Sequence, residues 1–125
     1  LVNRVQVAMF REVFDLLDRN IASAEQIDRA IRGSAGMRLA ALGPLAIIDY
    51  AGWDVTARVF QNLIPDLRSD HELPKRITDL VKAGRFGAKV GRGVYDYPPE
   101  SLEQSIADRD RTYLELVKLL GKVGD

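Results

Sequence analysis

A glycine followed directly by a proline, Gly43-Pro44, is the feature that most narrows what this chain can become. Glycine adopts the backbone angles that end one segment, and proline at a first helical position surrenders only an amide that has no helical partner there. The pair therefore predicts a stop and a new helix opening at Pro44. Behind it Leu45, Ile48 and Ala51 recur at three-residue spacing, Ile47 adds apolar bulk, and Gly52 stands where a left-handed C-terminal residue belongs. So short a helix is unstable alone in water. The stretch from Gly36 to Asp54 is thus expected to hold a central core helix that its neighbours bury.

The same helical grammar runs along the rest of the chain. Val2, Val5, Met9, Val13, Leu16 and Leu17 mark one face of a first helix ending near Asn20, with Arg4, Arg11, Asp15 and Asp18 largely elsewhere. Ser23-Ala24-Glu25-Gln26 is a capping box, and Ile27, Ala30 and Ile31 face inward until Gly33. The Gly33-Ser34-Ala35-Gly36 run is expected to loosen the chain. Asp54 is the expected N-cap of a helix carrying Val55, Val59 and Leu63 and ending at Pro65. After a polar loop from Asp66 to Leu73, Pro74 opens a short helix with Ile77, Leu80 and Val81, closed by Gly84.

RFGAKVGRGVYDYPP, with Gly87, Gly91 and Gly93, suits an extended, turn-rich excursion. Ser101-Leu102-Glu103-Gln104 reads as a second capping box before a last helix lined by Leu102, Ile106, Tyr113, Leu116, Val117 and Leu120. Its charged centre, Asp108 to Arg111, is expected to be solvated or to face a partner subunit. The fold expected is all-α, with about six helices.

Size and charge bound the function. The 125 residues make one domain, and 18 basic residues balance 18 acidic ones, so no overall field draws the chain to nucleic acid or an anionic membrane. There is no cysteine for a disulfide or thiolate metal site. No run of about eighteen apolar residues and no signal segment is visible, which makes a cytoplasmic location the expectation. The chain opens on Leu1-Val2, already inside an apolar helical pattern, and reads as a piece of something longer.

Chemistry-bearing residues are sparse. His71, the only histidine, has no second histidine or cysteine to make a metal set, and is expected in an exposed loop. Gly91-Arg92-Gly93 follows no strand and opens no helix, so it is not a dinucleotide fingerprint. Asp15 and Asp18 share a helix face, either as a solvated pair or as a carboxylate dyad. Lys82, Arg85, Lys89 and Arg92 cluster around glycines, either as a solvated loop or as a phosphate cradle. Asn3, beside Arg4 at the head of the first helix, either bonds backbone or points into a site.

Taken in order, these features resemble a known family. Asn3-Arg4, Glu12, Ala22-Ser23, Ile27-Asp28, Gly43-Pro44-Leu45 with Asp49 and Gly52-Trp53-Asp54, and Leu80-Val81, Gly84-Arg85-Phe86-Gly87, Lys89, Gly91-Arg92-Gly93 and Tyr95 are similar to the C-terminal domain of NAD-dependent 3-hydroxyacyl-CoA dehydrogenases such as 3-hydroxybutyryl-CoA dehydrogenase. The likeness covers residues 1–97, leaving 98–125 as a helical extension of the same domain. It implies the helical fold of the 6-phosphogluconate dehydrogenase C-terminal domain type, closing over an acyl-CoA and forming a homodimer. It also implies that an N-terminal Rossmann domain of the same protein holds NAD and supplies the catalytic histidine and glutamate, so this piece alone is expected to be inactive, without cofactor or metal.

In that setting Asn3 is an accessory catalytic group near the substrate C3 oxygen, where a preorganised amide contributes roughly 2–4 kcal/mol. Leu42, Gly43 and Pro44 edge the acyl pocket. The activity implied is oxidation of 3-hydroxyacyl-CoA to 3-oxoacyl-CoA in fatty-acid metabolism. The alternative is a non-catalytic helical dimerisation or scaffold module. Ala46, Trp53, Val90 and Val94 depart from the family pattern, and Trp53 brings a large ring that core or partner must cover.

Overall fold

The structure is a computed structural model that describes residues 1–121. Its helices are α1 (Val2–Asp18), α2 (Ala24–Ile31), α3 (Met37–Ala41), α4 (Pro44–Ala51), α5 (Trp53–Leu63), α6 (Lys75–Lys82) and α7 (Pro99–Leu120). No strand occurs among the described residues, only two isolated antiparallel bridges, Gly87 with Arg92 and Arg92 with Asp96. The all-α expectation is met, with α3 as an additional short helix. None of the described helices is long and apolar enough to cross a membrane. The chain forms two compact units, Leu1–Arg76 and Ile77–Asp125.

In the first unit the helix ends obey local chemistry. α1 stops because Asn20 takes a left-handed turn, φ 54°, and the amides of Asn20 and Ile21 return to the carbonyls of Leu17 and Leu16. The Ser23 capping box forms in full: the Gln26 amide donates to Ser23 Oγ at 3.3 Å and the Ser23 amide to Gln26 Oε1 at 2.8 Å. Gly52, at φ 93°, ends α4 and starts α5. Its carbonyl accepts both the amide and the hydroxyl of Thr56, at 3.0 and 2.9 Å. Asp54 consequently lies inside the first turn of α5 rather than capping it, and pairs with Arg58 at 3.1 Å.

Two expectations are corrected here. Arg32–Gly36 does not loosen; it stays wound as a π-helical turn joining α2 to α3. Small residues permit that wider turn, since a Cβ on Gly36 would sit 3.1 Å from the Ile31 carbonyl oxygen. Nor is α4 a buried core helix: Ile47 and Ile48 are half-buried and Leu45 is 68% exposed. The buried apolar side chains among the described residues are Leu17, Ile27 and Pro74, so little of the apolar surface is covered within the chain itself.

The polar side of α1 is a clamp. Glu12 Oε1 accepts the Arg68 amide at 3.1 Å, and Asp18 Oδ1 accepts the Arg76 amide at 3.0 Å, satisfying an open donor at the start of α6. Arg68 in turn grips Asp70 through one guanidinium edge, Nε donating to Oδ2 at 2.6 Å and Nη2 to Oδ1 at 3.0 Å. That guanidinium, with help from the Glu72 amide, holds the Asp70 carboxyl down at about 2 instead of 3.8. Because the folded value is depressed, the stabilisation is complete above the ordinary carboxylate value and disappears as pH falls through about 2. A carboxyl NMR titration is expected to place the Asp70 midpoint near 2; a midpoint near 3.8 would mean that the Arg68 grip does not form in solution.

In the second unit α6 closes on Gly84, φ 66°, with the Gly84 and Arg85 amides bonded to the carbonyls of Val81 and Leu80. The excursion that follows is turn-rich, as expected, and closely tied. Arg85 Nε donates to the Gly93 carbonyl and its Nη2 to Asp96, both at 2.7 Å. Gly93 lies against Gly87 so tightly that a Cβ there would be 2.9 Å from the Gly87 Cα. The capping box expected at Ser101 does not form. α7 starts two residues earlier at Pro99, whose preset φ suits a first helical position, and Gln104 turns to Asp108 at 2.9 Å.

Candidate functional site

Asn3 lies in the first turn of α1 and is exposed. Among the described residues its side-chain amide has no hydrogen-bond partner, so its donors remain available to something outside the chain. Phe10 is two turns further along the same face, about 10 Å away by helical rise. There α1 and α2 part to leave an apolar groove of about 330 Å³, lined by Met9, Phe10 and Val13 on one side and by Asp28, Ile31 and Arg32 on the other. The lining is mostly apolar, and its two charged residues, Asp28 and Arg32, lie on the same side.

Leu42 and Gly43 form the extended link from α3 to α4, with Leu42 at φ −134° and ψ 148°, and Pro44 is the first residue of α4. All three are exposed. They are contiguous with one another, and no hydrogen bond among the described residues ties them to Asn3. The groove is lined by none of Asn3, Leu42, Gly43 and Pro44. Sequence reasoning missed the groove, although Met9, Val13 and Ile31 were visible on inward stripes; what it lacked was the angle at which α1 and α2 diverge.

The remaining candidates resolve into structural roles. Asp18 serves the Arg76 amide and Asp15 pairs with Arg19 at 3.3 Å, so the two carboxylates are engaged separately and form no dyad. The glycine loop is not an anion nest, because the amides of Gly87, Val90, Gly91, Arg92 and Gly93 are all bonded within the loop. Arg85 is taken up by Gly93 and Asp96, and Lys89 Nζ stands 6.0 Å from the Phe86 ring centroid. Neither this loop nor any other described stretch offers the strand, glycine turn and helix that a dinucleotide requires, so the residues present do not fit NAD. His71 is exposed, and no group of three metal-ligating side chains exists among the described residues. Trp53 is exposed with its indole nitrogen pinned to Asp49 at 2.6 Å.

The model of one protein family, the C-terminal domain of 3-hydroxyacyl-CoA dehydrogenase, matches residues 1–97. The chain belongs to the 3-hydroxyacyl-CoA dehydrogenase family. This 3-hydroxyacyl-CoA dehydrogenase C-terminal domain is 31% identical over 118 residues to 5-formyl-3-hydroxy-2-methylpyridine 4-carboxylate 5-dehydrogenase of Mesorhizobium japonicum, covering 94% of the chain and 38% of that relative. It is 30% identical to L-carnitine dehydrogenase of Streptomyces coelicolor, over 99% of the chain and 39% of the relative. With 3-hydroxyadipyl-CoA dehydrogenase of Escherichia coli it shares 36% identity over 80% of the chain and 21% of the relative.

The domain also superposes with a TM-score of 0.94 and 30% identity on a crystal structure of the 5-formyl-3-hydroxy-2-methylpyridine 4-carboxylic acid 5-dehydrogenase, described as an NAD+ dependent dismutase, over 97% of the chain and 39% of the other. The chain therefore spans about two fifths of the length of the first two relatives. At 94% and 99% of the chain, their matches take in most of α7.

Proposed function

We propose that this chain is the substrate-closing and dimerising domain of an NAD-dependent dehydrogenase that oxidises the 3-hydroxyl of an acyl-CoA to a 3-oxo group, in cytoplasmic fatty-acid metabolism. The observation that carries the reading is the family match over residues 1–97 in a chain that spans only about two fifths of its first relatives. A Rossmann domain elsewhere in the protein would hold NAD and the catalytic base. The role of this domain is to bring Asn3 to the substrate C3 oxygen, to edge the acyl chain with Leu42, Gly43 and Pro44, and to join two copies. Support for Asn3 comes from its exposed amide, which has no competing partner among the described residues. The dimer is supported by the poverty of buried apolar side chains.

A second reading concerns the substrate. The relatives whose matches take in α7 are named for compounds without coenzyme A, which favours a small free substrate over a thioester. The full-length enzyme assayed with NAD+ against 3-hydroxybutyryl-CoA and against L-carnitine separates the two. A kcat/KM at least a hundredfold higher for the thioester supports the first reading, and the reverse ratio supports the second. No NADH from any hydroxylated compound would leave the non-catalytic scaffold.

A further inference from the structure

From Ala24 to Ala41 the chain winds without a break, yet Arg32–Gly36 in its middle is the π turn between α2 and α3. A π turn closes i→i+5 where an α-helix closes i→i+4, so it takes up one residue more than the helix it interrupts. Everything after it is set back by one residue, about 100° of azimuth. In an unbroken α-helix Arg38 would stand in line with the apolar stripe of α2, about 20° past three turns from Ile27 and about 20° short of two from Ile31. The observed exposure follows the shifted phase instead. After buried Ile27 and half-buried Ile31 come half-buried Ala35 and Gly36, with Ser34 exposed, and on α3 the stripe emerges at Leu39, 44% exposed against 65% for Met37. Arg38 is exposed.

We infer that the π turn is a one-residue register shift that continues the α2 stripe into Leu39 rather than Arg38, and that the phase it sets positions the link at Leu42, Gly43 and Pro44. The shift itself is independent of the proposed function; its effect on the substrate rests on the pocket role given above to those three residues. The other phase is the costly one, because it would press a guanidinium against an apolar stripe and turn Leu39 to water. Local residues ease the wider turn. Gly36 avoids the 3.1 Å contact that a Cβ would make with the Ile31 carbonyl oxygen, and the Ser34 hydroxyl donates to the Ala30 carbonyl at 2.5 Å. The phase reaches the link through one bond: the Leu42 amide donates to the Arg38 carbonyl at 2.8 Å, so the group that holds the link turns with Arg38.

Removing Ala35 from the full-length protein leaves the residue count of a plain α-helix. The shortened chain is expected to melt about 5 °C lower or more, and Arg38→Leu to recover at least half of that loss while shifting the native Tm by less than about 2 °C. Leu39→Ser is expected to cost the native chain about 5 °C and the shortened chain almost nothing, because Leu39 then faces water. A shortened chain that Arg38→Leu does not stabilise, or that folds neither with nor without it, would overturn the proposal. So would an equal cost of Leu39→Ser in both chains.

Kinetics separate positioning from mere support of the fold. With whichever of 3-hydroxybutyryl-CoA and L-carnitine the enzyme oxidises, the rescued double variant is expected to keep a KM at least tenfold above that of Arg38→Leu alone, and Leu42→Ala in the native chain to raise KM as well. An ordinary KM in the double variant beside a raised one in Leu42→Ala would overturn the positioning role. An ordinary KM in both would take the link out of the pocket and end that role with it, while the melting temperatures still decide the register shift.

Discussion

In the full-length enzyme, Asn3→Ala is expected to lower kcat at least tenfold, and up to about a thousandfold, with little change in KM. The lower figure corresponds to about 1.4 kcal/mol and the upper to about 4, the range for one preorganised donor facing an oxygen whose charge changes in the transition state. KM is spared because the ground-state oxygen, already solvated or bonded elsewhere, has less to gain from the amide than the charged one. Structural damage is a poor competing explanation. Asn3 is exposed, and no described residue bonds its side chain, so truncation removes nothing from the fold. Steady-state kinetics beside a thermal melt checks this, and an unchanged kcat at unchanged stability would take Asn3 out of the site.

The largest stability effect is expected at Gly93. Its Cβ would stand 2.9 Å from the Gly87 Cα and 3.3 Å from the Gly87 nitrogen, and both atoms are backbone with no rotamer to change. Gly87 itself holds φ 98°, and Gly93 is tied from the other side through its carbonyl to Arg85. Gly93→Ala must therefore push two loop segments apart and strain the Arg85 hydrogen bond, at a cost of about 2–3 kcal/mol. Gly33→Ala is the internal control: nothing lies within 4 Å of its Cβ position and its φ is not positive, so it is expected to be neutral or to stabilise by about 0.5–1 kcal/mol. Chemical denaturation of both variants measures the contrast, and equal stabilities would show that the Gly87–Gly93 approach is not kept in solution.

These two positions also separate what could be read from the chain alone. Asn3 entered through a resemblance of ordered motifs, and the family match over residues 1–97 confirms that resemblance while leaving the residue's role to be measured. At Gly93 the sequence showed three glycines among basic residues and left a cradle or a solvated loop open. Neither described the outcome, in which the loop amides bond to one another and Arg85 holds the turn from within. The capping boxes behaved in the same divided way. Ser23 has only its own helix to serve, and its box forms. Ser101 follows Pro98-Pro99, and the prolines start the helix first.

Helix stops and starts were within reach of sequence because they are decided over four or five residues, by a missing amide, a left-handed glycine or asparagine, or a side chain reaching its own backbone. So were the all-α class and the family. The tertiary structure alone decided that Asp18 supplies the acceptor for an amide at Arg76, that Arg85 reaches across to Gly93 and Asp96, and that α1 and α2 separate into a groove at Phe10. It alone decided too that the short helix at Pro44 stays largely uncovered. Each of these depends on the distance between segments remote in the chain, and periodicity records which face is apolar without recording what, if anything, comes to rest on it.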